Sequence, residues 1–107
     1  MFTRINKGLY TCHGQNSRYV LTYGNINSNT MLPWSGWRLN CLEHGVSFCI
    51  AEFITDANDE PNECVTRYRS YNPNKEDFVG KTIHEILARA AEIVKNYEYA
   101  DKVETYL

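Results

Sequence analysis

The chain has 107 residues, 43% of them hydrophobic and 22% charged, with a formal net charge of −2. A chain of this size forms one domain that hides roughly 65% of its unfolded surface, and its composition excludes a disordered segment. The charge excludes a basic polyanion binder and a densely acidic nucleic-acid mimic: residues 1–75 carry seven Lys/Arg against six Asp/Glu, and residues 76–107 four against seven.

From the N-terminus, Met1–Lys7 contains no apolar run of signal-peptide length, and no stretch of the chain could span a bilayer. This predicts a cytoplasmic protein in which Cys12, Cys41, Cys49 and Cys64 stay reduced. Short alternating runs predict strands at Leu9–His13, Arg18–Tyr23, Trp37–Leu42, Val46–Thr55 and Cys64–Tyr71. Gly14-Gln15-Asn16-Ser17 turns the first pair, and Asn25, Asn27 and Asn29 mark a polar loop after the second strand. Pro33-Trp34-Ser35-Gly36 then reads as a turn that separates the two tryptophans, Trp34 and Trp37.

A two-residue His44-Gly45 turn sets the next hairpin in register, with Glu43 opposite Val46, Cys41 opposite Phe48 and Leu39 opposite Ile50. Trp37, Leu39, Cys41, Val46, Phe48 and Ile50 then share one apolar face, which places Trp37 in the core and Cys41 and Cys49 on opposite faces. The chain changes character near Asn72-Pro73-Asn74-Lys75. Thr82-Ile83-His84-Glu85 is a capping box, and Ile83, Ile86, Leu87, Ala90, Val94 and Tyr97 form a stripe at helical spacing. Glu85 with Arg89 and Glu92 with Lys95 are spaced to pair on the polar side. The expected architecture is α+β: an antiparallel meander sheet of about five strands with one C-terminal amphipathic helix, about 82–100 or longer, packed on one face.

No catalytic motif, metal site or cofactor follows from these residues. Cys41-Leu42-Glu43-His44 has the spacing of half a zinc site, but a second close pair is missing, and buried thiols are the simpler reading. His13, His44 and His84 titrate near neutrality but have no sequence-evident nucleophile. Cys12 and His13, as strand neighbours, point to opposite faces. Gly8-Leu9-Tyr10 followed by Arg18-Tyr19-Val20-Leu21 resembles the opening hairpin of the GIY-YIG nucleases over about fourteen residues. That resemblance implies a small nuclease-like enzyme. Leu21 departs from the family's Gly, and no arginine-bearing helix follows the hairpin.

Two surfaces are candidates for contact with another protein. The apolar run Met31-Leu32-Pro33-Trp34 interrupts a segment rich in Asn and Ser, and tryptophan is enriched among interface hot spots. Asp56, Asp59, Glu60 and Glu63 crowd a loop in which no Lys or Arg lies between Glu52 and Glu63. A third set, Arg67, Arg69 and Tyr71 with Arg38 nearby, would suit phosphate or a stacked base on the sheet's open face. The expected function is a small non-enzymatic interaction module, with a homodimer through a strand edge or the helix as a further possibility. Its size and aromatic loops are similar to those of phage and mobile-element accessory proteins, including anti-CRISPR-type inhibitors, which implies blocking a larger partner by surface occlusion. A small-ligand or nucleic-acid binder using the Arg/Tyr face is the alternative.

Overall fold

The computed structural model describes residues 1–15, 17–27, 34–57, 66–68 and 75–106, and the side chains of 1–15, 17–24, 36–57 and 75–99. Its strands are β1 (Thr3–Asn6), β2 (Leu9–His13), β3 (Arg18–Asn27), β4 (Trp34–Glu43), β5 (Val46–Ile54), β6 (Thr66–Tyr68) and β7 (Lys75–Asp77). They form one sheet in the order β1-β2-β3-β4-β5-β7, with β6 beside β3, and the helix α1 (Ile83–Tyr106) follows. This is the expected α+β arrangement. The meander from β1 to β5 is antiparallel, whereas β6 runs parallel to β3 and β7 parallel to β5.

Alternation along the strands sorts the sheet into two faces. Tyr10, Cys12, Tyr19, Leu21, Tyr23, Trp37, Leu39, Cys41, Ala51 and Phe53 are buried together with Ile86, Ala90 and Val94 of α1. Trp37, fully buried, sits at the centre of this layer, with ring centroids 5.7 Å from Tyr10 and 5.3 Å from Tyr23. The helix starts where the capping box predicts. The Thr82 amide donates to Glu85 Oε2 at 2.7 Å, and the Glu85 amide donates back to Thr82 Oγ1 at 3.3 Å.

The structure corrects several sequence-based expectations. The short edge strands β1 and β7 were not expected; every residue of β1 is exposed, so no apolar periodicity announces it. Asn25 and Asn27 belong to β3 and not to a loop, and Trp34-Ser35-Gly36 opens β4 and is not a turn. Ladder pairing extends to Ile26 opposite Trp34, and this long-range pairing overrides the local Pro/Gly signal. The last expected strand, Cys64–Tyr71, is described only at Thr66–Tyr68, where it pairs parallel to β3. Glu85 is engaged in the cap, so Arg89 reaches instead to Glu76 of β7 at 2.8 Å and to Glu92 at 2.9 Å, which also replaces the expected Glu92–Lys95 pair.

The hairpin register holds from Glu43↔Val46 to Asn40↔Cys49 and then slips by one residue, so that Leu39 faces Ala51 instead of Ile50. Unbroken pairing would set Trp37 against Glu52 and drive a carboxylate into the apolar layer. The bulge turns Phe53 toward the helix-covered face opposite Trp37 and Glu52 to the other face opposite Arg38, where it is still buried, while Ile50 and Ala51 both stay buried. The expected apolar face is also too long. Val46 is 60% and Phe48 37% exposed, because the hairpin tip extends past the core.

At Gly14 the backbone packs closely against a distant side chain. A side-chain carbon at Gly14 would overlap the Glu98 carboxylate, whose Oε1 accepts the hydroxyl proton of fully buried Tyr19 at 2.9 Å. Gly14→Ala is therefore expected to displace Glu98, leave the tyrosine unsatisfied and cost about 1–2 kcal/mol. Thermal melts check this: in a Tyr19→Phe background the same glycine substitution should cost almost nothing.

Candidate interaction surface

Topology gathers sequence-distant candidates at one end of the sheet. The β3/β4 ladder ends at Ile26↔Trp34, and β6 continues the row outward by setting Arg67 against Ile26. β5 arrives at the same end through Gly36↔Ile54 and leads directly to Asp56. Trp34, Asp56 and Arg67 thus share one end of the sheet, on strands or just beyond them.

The acidic loop is pinned where it leaves β5. The Trp37 indole Nε1 donates to the Ala57 carbonyl at 2.8 Å. Thr55 Oγ1, fully enclosed, accepts the Ala57 amide at 2.9 Å and donates to the Phe78 carbonyl at 3.0 Å. Exposed Asp56 accepts the Gly80 amide at 3.1 Å, and a positive φ of 80° at Gly80 makes this close turn possible. Sequence reasoning placed Trp37 in the core but missed that the same side chain orients the loop carrying Asp56.

Met31, Leu32, Asp59, Glu60, Arg69 and Tyr71 lie outside the described residues, as do the side chains of Trp34 and Arg67. Arg38 lies four ladder positions in from Trp34, on the face opposite α1. Its guanidinium meets Glu52 Oε1 at 3.4 Å, so it faces a carboxylate and is not an open phosphate contact. Glu52 is completely buried, and its Oε2 has no hydrogen-bond partner among the described residues. Sequence reasoning missed this pair because only the bulge brings Glu52 to Arg38's side of the strand.

The described nucleophiles and bases do not assemble into a catalytic group. His13, His44 and His84 stand on a strand end, a turn and the first helical turn, and no side-chain hydrogen bond joins any of their imidazoles to a described residue. Burial pushes the thiols of Cys12 and Cys41 above their ordinary value, which suppresses the reactive thiolate. Burial, and then the bond to Glu98, raises the Tyr19 phenol in the same direction. Among the described residues no cluster of three or more His, Cys, Asp or Glu is arranged to hold a metal, and no helix is long and apolar enough to cross a membrane.

These three groups set a direction for pH dependence. The unfolded chain releases thiol protons near pH 9.0 and a phenol proton near 10.0, while the folded chain retains them. Stability is therefore expected to be intact below pH 9 and to fall as pH rises above it. Melting temperatures measured from pH 7 to 10.5 check this, and Cys12→Ala/Cys41→Ala should flatten the first part of the decline.

The fold is that of a small α+β protein whose sheet carries Trp34, Asp56 and Arg67 towards one end. No protein-family model, curated protein or solved structure matches the chain.

Proposed function

We propose that this protein works by contact: a small non-enzymatic interaction module that blocks a larger partner by occupying its surface, as phage and mobile-element accessory proteins do. One observation carries the reading. Trp34, Asp56 and Arg67 are far apart in sequence and converge on one end of the sheet, at the end of the long β3/β4 ladder and beside a loop fastened by Trp37. A tryptophan position on a strand between an acidic and a basic position suits protein recognition, since tryptophan is enriched among interface hot spots and opposite charges complement a partner's own. The phosphate-binding alternative loses Arg38 to its pairing with Glu52 and is left with Arg67, Arg69 and Tyr71.

Co-purification from the native host's lysate tests the reading. The wild-type bait is expected to retain a specific protein that Trp34→Ala bait loses. Equal recovery on both baits would move the contact away from this end of the sheet.

A further inference from the structure

At the opposite end, an open groove of about 520 Å³ lies between the β2–β3 turn and α1, lined by Met1, His13, Gly14, Val94, Lys95 and Tyr99, among others. Its size is that of small-molecule sites. Almost completely buried Val94 forms the floor, while Met1 and Tyr99, 77% and 70% exposed, stand as uncovered apolar walls.

The polar groups divide by depth. Glu98 also lines the groove, but its carboxylate lies against Gly14 and accepts the Tyr19 hydroxyl, which turns it toward the sheet. Lys95 and His13 are exposed along the groove, and neither forms an ion pair among the described residues. The exposed rim of the groove therefore offers a head group the Lys95 ammonium and the His13 imidazole, above apolar walls, while the Glu98 carboxylate is engaged by Tyr19.

We propose that this groove binds a small amphiphilic monocarboxylate, with the aliphatic or aromatic tail between Met1, Val94 and Tyr99 and the carboxylate facing Lys95 and His13. The site is independent of the contact end, so Trp34→Ala should leave it unchanged.

An NMR titration of ¹⁵N-labelled protein with octanoate, 1-octanol and octylamine tests the proposal. Octanoate is expected to give saturable shifts confined to the amides of residues 13–15 and 94–99, and to bind more tightly than octanol and octylamine in that order. Lys95→Gln, an exposed helix change, should weaken octanoate about threefold and leave octanol unaffected, the size of effect expected for an exposed ion pair. Tyr99→Ser should weaken both. Octylamine binding as tightly as octanoate, unaltered octanoate affinity in Lys95→Gln, or no saturable shift at these amides would overturn the assignment.

Discussion

Trp37→Ala is expected to cost about 3–5 kcal/mol, the loss typical of deleting a large aromatic side chain from a packed core. Trp37 is fully enclosed, packs against Tyr10 and Tyr23, and donates its indole proton to the Ala57 carbonyl. Small domains are stable by about 5–15 kcal/mol, so this single change takes a large share of the total. Two variants separate packing from hydrogen bonding. Trp37→Phe keeps most of the ring volume and loses the bond to Ala57, and should cost about 1–2 kcal/mol. If the indole also orients the acidic loop, Trp37→Phe will weaken partner binding beyond what its stability loss explains. Chemical denaturation of the three proteins, with unchanged m-values, checks the ordering.

Arg38→Leu is expected to cost about 3 kcal/mol, because it leaves the Glu52 carboxylate buried without its counter-charge. The 3.4 Å contact is long, and Arg38 retains 15% side-chain exposure, which keeps the expected loss at the lower end of the range for buried pairs. The double variant Arg38→Leu/Glu52→Leu should recover most of that loss, since two apolar side chains in adjacent strands remove the stranded charge. A double variant no more stable than Arg38→Leu alone would show that the pair is not the source of the penalty.

Much of the fold was legible where apolar spacing and turn chemistry agree. Thr82 and Glu85 marked the helix start, the stripe from Ile83 to Tyr97 marked its buried side, and His44-Gly45 set the near half of the hairpin. Both turn residues adopt positive φ, 52° and 78°, the geometry such a tight turn requires. Legibility ended where a long-range partner decides the outcome. Trp34 looks like a turn residue between Pro33 and Gly36 until Ile26 is seen opposite it. The bulge at Leu39/Asn40 has no composition of its own; it is a one-residue compromise that admits Phe53 to the core and turns Glu52 to Arg38. β1 is fully exposed and β7 only three residues long, so neither shows periodicity, and parallel partners such as β6 cannot be read from neighbouring residues.

The candidate site divides the same way. Trp34, Asp56 and Arg67 were recognisable as residue types that make contacts, yet their meeting at one end of the sheet depends on register and on β6 joining β3. Gly14 reads locally as a turn residue. Its second role appears only through Glu98, which binds Tyr19 across 79 positions of chain.

On the reading proposed above, one end of this sheet exists for contact, and Trp34 serves binding where Trp37 serves the fold. Titration of the recovered partner against Trp34→Ala protein, with its melting temperature recorded in parallel, tests this most directly. The expected result is a loss of about 2 kcal/mol or more of binding, about thirtyfold in Kd, as for an interface anchor, with melting within about 2 °C of wild type. Unchanged affinity, or a melting loss as large as that of Trp37→Ala, would contradict it.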